Sequence, residues 1–172
     1  DLPVMDELKT AAEKAHIPIL GTPLTSSRIL GNMTSYLVGR LAPRESLHGV
    51  LVDISGVGVL ITGDSGVGKS ETALELVRRG HRLVADDRVE VYARDEQTLV
   101  GAAPTILQHL MEIRGIGIID VMTLYGSGAV LPQDTIDFIV HLEIWTPDSQ
   151  FDRLGDQGDT QVIQDEIGRA HV

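Results

Sequence analysis

The sequence predicts an α/β domain with a mixed sheet, and three observations carry that expectation. Two β-rich runs, Val50-Leu51-Val52-Asp53-Ile54 and Val57-Gly58-Val59-Leu60-Ile61, are separated only by Ser55-Gly56, which is a tight-hairpin signal. The second run leads straight into the glycine-rich segment Gly63-Asp64-Ser65-Gly66-Val67-Gly68-Lys69-Ser70. Residues 71–79 continue as a helix with Ala73, Leu74 and Val77 on one face. The order is strand, glycine loop, helix.

Around this centre the other elements follow from local pattern. Residues 5–15 have helix-forming composition, and Ile17-Pro18-Ile19-Leu20 reads as a short extended segment that its proline confines to a sheet edge. Thr25, Ser26 and Ser27 offer N-caps for a helix to about residue 41, with Ile29, Leu30, Met33 and Leu37 at helical spacing and Pro43 as its stop. Residues 81–84 read as a strand that ends in Ala85-Asp86-Asp87, and Val89, Val91 and Tyr92 suggest another. Residues 111–120 read as a glycine-punctuated connection, residues 118–125 suit either helix or strand, and residues 136–145 read as a strand. Residues 146–172, rich in Asp, Gln and Gly, are expected to be loop-like.

Composition narrows the function. At 172 residues, 42% hydrophobic and 23% charged, the chain has the make-up of one folded main domain rather than of a disordered or fibrous polymer. Fourteen basic residues against 25 acidic ones leave a net charge of −11, and aromatic residues are only 3% of the chain. Both argue against nucleic-acid binding, which needs basic surface and stacking platforms. The absence of cysteine excludes disulfides, thiolate metal sites and a cysteine nucleophile, and suits a reducing cytoplasm. No apolar stretch reaches the roughly 18–20 residues that span a bilayer, and the start lacks the pattern of a signal peptide, so no membrane association is expected. The first residue is Asp1 rather than Met, so the chain is expected to be part of something longer.

The segment of residues 63–70 matches the phosphate-loop pattern GxxxxGK[ST] in full, in the strand-to-helix setting that its mechanism needs. Glycines let consecutive backbone N–H groups turn toward phosphate oxygens, the following helix adds its positive end, and Lys69 supplies a mobile charge. Ser70 can place its hydroxyl on Mg²⁺. Asp86-Asp87, after the apolar run Leu83-Val84-Ala85, resembles the acidic end of a Walker B strand, where a carboxylate faces the phosphate loop. Adjacent carboxylates on an extended chain point to opposite faces, so only one of the two is expected to face the reacting centre. The alternative is an ordinary Asp-Asp turn partnered by Arg88.

Five runs together resemble one family closely: Leu47-His48-Gly49-Val50, the loop 63–70, Ser70-Glu71-Thr72-Ala73-Leu74-Glu75-Leu76, Gly80-His81-Arg82-Leu83-Val84-Ala85-Asp86-Asp87, and Met111-Glu112-Ile113-Arg114-Gly115-Ile116-Gly117-Ile118-Ile119-Asp120-Val121. They look like bacterial HPr kinase/phosphorylase, which phosphorylates a serine of HPr, the phosphocarrier protein of the sugar phosphotransferase system. The likeness spans roughly residues 18–155. It implies a core similar to that of phosphoenolpyruvate carboxykinase, ATP or pyrophosphate as phosphoryl donor, Mg²⁺, and inorganic phosphate as co-substrate of a reverse reaction that returns phosphoserine to serine. It further implies a cytoplasmic homo-oligomer, a hexamer, that regulates carbon catabolite repression.

By the same resemblance residues 63–70 bind the nucleotide, Lys69 contacts its phosphates, Ser70 and Glu112 hold Mg²⁺, and Asp87 is the acid/base of both directions. His48 and Arg153 match two further active-site positions, and residues 111–120 match the segment implicated in both reactions. On the residues alone, His48 reads more readily as a hydrogen-bonded structural histidine and Arg153 as a solvated charge, while Arg114 could be a second phosphate ligand or a partner of Glu112. Residues 1–43 are expected to be the edge of an amino-terminal domain with its linker, and residues 44–172 a catalytic domain incomplete at its carboxy-terminal end. His81, His109, His141 and His171 have no metal-ligand spacing and read as structural or surface residues. Two other functions fit the loop without the resemblance: a small-molecule kinase and a non-catalytic nucleotide-sensing module.

Overall fold

The computed structural model describes residues 3–95, 97–146, 160–162 and 169–171. The chain divides into two compact units, Asp1–Leu37 and Val38–Val172. The first holds α1 (Asp6–Ala15) and most of α2 (Ser26–Leu41), both near their predicted positions. In α1, Asp6 and Glu7 occupy the first turn and Lys14 the last, which complements the helix dipole. His16 stops it in the left-handed conformation at φ 53°, and the Ile17 N–H returns to the Ala12 carbonyl at 3.0 Å. The edge strand expected at residues 17–20 is not formed: among the described residues no strand pairs with this segment. On α2, Leu30, Met33 and Leu37 are exposed instead of forming a buried face.

The second unit is built on a six-stranded mixed sheet. Its strands are β2 (Val50–Ile54), β3 (Val57–Gly63), β4 (Arg82–Ala85), β10 (Phe138–Leu142), β11 (Thr160–Val162) and β12 (Arg169–His171), in the order β11-β12-β10-β3-β2-β4. β2 and β3 form the predicted hairpin with Ile54 opposite Val57, and Ser55 and Gly56 adopt φ 58° and 90° to close its two-residue turn. β10 runs parallel to β3, and β2 is antiparallel to both β3 and β4, so β3, β4 and β10 point the same way. Of residues 146–172, expected to be loop-like, 160–162 and 169–171 form strands, and residues 147–159, 163–168 and 172 lie outside the described residues.

A four-stranded antiparallel sheet, β1-β5-β6-β9, packs on one face. It comprises β1 (Glu45–His48), β5 (Arg88–Asp95), β6 (Thr98–Ala102) and β9 (Gln133–Thr135). Side chains alternate across the central hairpin: Leu51 and Leu60 join Val89, Val91 and Leu99 between the sheets, whereas Val50, Val52, Val59 and Ile61 face the other way. There they meet Ala73 and Val77 of α3 (Lys69–Arg78), and Met111 and Ile113 of a second hairpin, β7 (Leu110–Ile113) with β8 (Gly117–Asp120). Burial on both faces explains why the β2 and β3 runs are almost continuously apolar. The β7–β8 hairpin corrects the expectation that residues 111–120 are merely a connection: Gly115, at φ 81°, lies in its three-residue turn and Gly117, at φ 103°, opens β8 opposite Ile113. The ambiguous residues 118–125 divide between β8 and the short helix α4 (Val121–Tyr125).

A polar cluster joins the two sheets at the β2–β3 turn. Asp53, 3% exposed, receives Arg82 at 3.2 and 3.1 Å on its two oxygens and the Gly56 N–H at 3.2 Å. Burial pushes the Asp53 carboxyl up, but Arg82 and that N–H outweigh it and hold it below its ordinary value. Asp134, on β9, interacts with Asp53 and has a buried oxygen, Oδ2, without a hydrogen-bond partner among the described residues. Its carboxyl is pushed up by burial and by the neighbouring Asp53 charge, against the Thr135 N–H that Oδ1 accepts at 2.9 Å. Gly58 closes the same corner: its N–H reaches Asp137 at 2.8 Å, and a Cβ at position 58 would run into the Thr135 carbonyl.

Two outcomes follow for stability. Gly58→Ala is expected to cost about 1–3 kcal/mol in urea unfolding through that overlap, while Gly128→Ala, which meets nothing within 4 Å, stays within about 0.5 kcal/mol. Because the folded pKa of Asp134 is raised above 3.8, its carboxyl favours folding below the ordinary carboxylate range and opposes it as pH rises through the raised value. Asp134→Asn is therefore expected to be more stable than the parent at pH 7, with the difference shrinking toward pH 4. Urea titrations of both proteins at the two pH values check this.

Candidate active site

The site lies at the carboxyl ends of β3 and β4, which point the same way on either side of the antiparallel β2, an end of the sheet where ligands commonly sit in α/β folds. β3 delivers the loop 63–70 and β4 delivers Asp86 and Asp87. A cleft of about 340 Å³ lies between them, lined among others by His48, Ser65, Lys69, Ser70, Asp86, Asp87, Glu112 and Arg114.

Local geometry fits the loop to its place. Gly63, at φ 135°, passes so close to β10 that a Cβ would overlap the Leu142 carbonyl. Gly68, at φ 103°, turns the chain into α3, so the helix begins on Lys69 and Ser70. Lys69 is only 7% exposed, and its ammonium donates to the Gly63 and Asp64 carbonyls at 2.8 and 2.9 Å. The lysine charge is thereby held against the loop, satisfied by the backbone. Gly63, Asp64 and Val67 shape the loop without lining the cleft, whereas Ser65, Gly66, Gly68, Lys69 and Ser70 line it.

Asp86 is the most buried acid of the cleft, 4% exposed, and both its oxygens are engaged. Oδ1 accepts the Ser70 hydroxyl at 2.7 Å and Oδ2 accepts the Glu112 backbone N–H at 2.9 Å. Burial raises its pKa, the two hydrogen bonds oppose the rise, and the charge of Asp87 adds to it. Asp86 thus ties the Ser70 side chain to the Glu112 backbone.

Asp87 departs from its sequence-based geometry. Its φ is 63°, and the Arg88 N–H bonds the Asp86 carbonyl across it at 2.7 Å, a three-residue turn rather than extended chain. The expected opposite-face rule therefore does not apply, and both carboxylates line the one cleft. The Asp87 carbonyl accepts the Gly49 N–H at 3.2 Å and lies 3.0 Å from the His48 Nδ1, which also stands 3.2 Å from the Asp87 carboxylate. Arg88, the partner of the ordinary-turn alternative, donates instead to the Ser46 hydroxyl at 2.6 Å.

The segment 111–120 divides by role. Met111 and Ile113 belong to the core. Glu112, Arg114, Gly115 and Gly117 border the cleft. Ile116 and Ile118 are exposed, Ile119 packs at the core's edge, and Asp120 caps α4 by accepting the Thr123 N–H at 3.0 Å. Arg153 lies outside the described residues. Glu71, in the first turn of α3, also reaches the cleft, and its position directly after Ser70 was the only sign of it.

A hard cation suits this chemistry: a serine hydroxyl and the carboxylates of Asp86, Asp87 and Glu112 offer only oxygen. Among the described residues no three His, Asp or Glu side chains converge to hold a metal unaided.

Residues 39–169 match the family described as HPr Serine kinase C-terminal domain. HPr kinase/phosphorylase of Limosilactobacillus reuteri is 82% identical over 164 residues, which cover 95% of this chain and 51% of that protein. The Levilactobacillus brevis protein of the same name is 70% identical over 162 residues, 94% of this chain and 52% of its own. The chain spans about half the length of the curated relatives it matches. A solved structure, the Hpr(Ser) kinase/phosphatase from Coxiella burnetii, superposes with a TM-score of 0.66 at 34% identity, covering 74% of this chain and 83% of that one. A family match across most of the sequence, with a common fold beneath it, identifies the chain as a member of the HPr Serine kinase C-terminal domain family.

Proposed function

We propose that this chain phosphorylates a serine of HPr with ATP or pyrophosphate as donor, and returns phosphoserine to serine with inorganic phosphate, regulating carbon catabolite repression in the cytoplasm. The observation that carries the reading is the meeting of a GKS loop with two strand-end carboxylates in one cleft. On this reading residues 63–70 are a P-loop in a core like that of phosphoenolpyruvate carboxykinase, residues 44–172 form the catalytic domain and residues 1–43 a linking segment. The working assembly is a homo-oligomer, a hexamer by family likeness.

The residues divide the labour of phosphoryl transfer as follows. The loop amides and Lys69 hold the phosphate chain in line with the incoming hydroxyl. Asp87, exposed beside His48, accepts the serine proton as the serine oxygen bonds to phosphorus and the bond to the leaving phosphate breaks. In reverse, an oxygen of inorganic phosphate bonds to the phosphoserine phosphorus, pyrophosphate forms, and Asp87 returns a proton to the departing serine oxygen. Mg²⁺, for which Ser70 and Glu112 are the proposed ligands, supplies charge neutralisation when bound. His48 fixes the backbone and carboxylate of Asp87 through one ring nitrogen, and Arg153 is proposed as a further active-site cation.

The direct test is transfer of labelled phosphate from ATP to HPr, with pyrophosphate release from phosphoserine-HPr and inorganic phosphate as its counterpart. No transfer to HPr would sink the reading. Lys69→Ala is expected to lose most nucleotide affinity and both reactions, as followed by ATP titration and label transfer. Asp87→Asn is expected to keep near-parent ATP affinity while both directions slow by roughly 10²–10⁴-fold, the usual contribution of a positioned acid or base. Asp86→Asn should instead disturb the Ser70 and Glu112 contacts, weakening metal dependence more than proton transfer. Transfer at the parent rate by Asp87→Asn would remove it from the acid/base role.

A further inference from the structure

The turn of the β7–β8 hairpin carries a cation that the fold itself does not use. The Arg114 guanidinium lies over the glycine loop: its Nη2, Nη1 and Cζ stand 2.9, 3.3 and 3.4 Å from where a Cβ at Gly66 would be. It makes no ion pair or hydrogen bond among the described residues, and Glu112, its nearest acidic neighbour in sequence, is not bonded to it. The guanidinium is therefore not spent on a structural pair, unlike Arg82 on Asp53.

Its placement is not that of a drifting surface side chain's backbone. Met111 and Ile113, on the strand just before it, are buried against α3 and the main sheet, and the Glu112 N–H is tied to Asp86 at 2.9 Å. The turn is closed by the Ile116 N–H on the Ile113 carbonyl at 3.0 Å. The hairpin thus holds Arg114 beside the loop, and the loop has at that point a glycine with no side chain to fill the space. Lys69, the other firm cation of the cleft, is held down by two loop carbonyls. Acids outnumber these two cations along the same walls, with Glu71, Asp86, Asp87 and Glu112 all bordering the cleft. A ligand with several negative charges needs a cation free to turn toward it, and a planar fork of donors matches adjacent phosphate oxygens better than a point charge does.

We propose that Arg114 is a phosphate-binding residue of this site, closing over the donor's phosphate chain from the hairpin side while Lys69 and the loop amides hold it from the other. The proposal rests on residues 63–70 being a phosphate site, and it assigns Arg114 to the ligand rather than to Glu112. The ligand class is a di- or triphosphate, since the guanidinium and the loop can share a chain of phosphates.

The test uses inorganic pyrophosphate and ATP as probes, titrated calorimetrically in the presence of Mg²⁺ into the parent, Arg114→Gln, Arg114→Lys and Lys69→Ala proteins, with thermal unfolding of each. Arg114→Gln should unfold at the parent temperature, because no described bond is lost, and should bind both probes about 10–100-fold more weakly, the worth of a lost charged hydrogen-bond pair. Arg114→Lys should recover only part of that loss. Parent-like affinity of a folded Arg114→Gln, with Lys69→Ala defective, would overturn the Arg114 assignment and leave the phosphate loop standing. A lowered melting temperature with unchanged affinity would overturn it too, in favour of a structural role. A parent protein that binds neither probe would overturn the phosphate-site reading and the Arg114 proposal with it.

Discussion

The Asp86 carboxylate is the joint on which the site depends. Placing a nearly sealed carboxylate at the end of β4 is costly unless both oxygens find donors. The donors come from two separate elements, the Ser70 hydroxyl at the start of α3 and the Glu112 N–H on β7. One buried acid thereby fixes the loop, the strand end and the hairpin relative to one another. The same bonds set the distance between the hydroxyl of Ser70 and the segment that carries Glu112 and Arg114. Its raised pKa records the energetic tension: burial disfavours the charge, two hydrogen bonds restore part of it, and a cation placed there would restore more.

Asp87 illustrates how backbone strain serves position. A non-glycine residue at φ 63° is sparsely populated, of order 1–3 kcal/mol above ordinary conformations, and persists only when its surroundings over-determine it. Here the Arg88 N–H closes the turn, the Gly49 N–H binds the Asp87 carbonyl, and His48 contacts both the carbonyl and the carboxylate. β1 makes this possible by pairing with β5 so that His48 lies opposite Arg88. The four-stranded sheet is therefore more than a cover for the core, because its first strand brings the imidazole to the acid.

The parts of the fold that were legible in sequence are those with local causes. The β2–β3 hairpin, the loop and α3 follow from alternation, turn residues and helical spacing, all within a few residues. The β7–β8 hairpin was not legible, because Gly115 and Gly117 resemble a loop until the chain returns and pairs Met111 with Ile119. β1 escaped because a polar four-residue strand, Glu45–His48, is defined only by its partner β5. Site residues followed the same division. Lys69 and Ser70 announce themselves by spacing, whereas the turn at Asp87 and the bridging part of Asp86 arise from bonds to Gly49, Ser70 and Glu112, far away in the chain. The apolar run Leu83-Val84-Ala85 before them located these acids in sequence, and the fold adds that Asp86 is buried and bridging while Asp87 is exposed.

The two ends of β3 separate stability from chemistry. Seven residues, about 20 Å of strand, lie between Val57 at the acidic corner and Gly63 at the cleft. At the corner, the Asp53 charge is neutralised by Arg82, while the Asp134 carboxyl, raised by burial and by Asp53, is a cost carried by the packing of the two layers. At the cleft, Lys69 is satisfied by carbonyls, Asp86 by its two donors, and the remaining groups, Asp87, Glu112 and Arg114, face solvent. A site that moves charge needs groups not already neutralised, and a fold that must survive their mutual repulsion needs its fixed pairs elsewhere. β3 connects the two because its middle, Val59 to Ile61, is buried on both faces and so transmits position without taking part in either task.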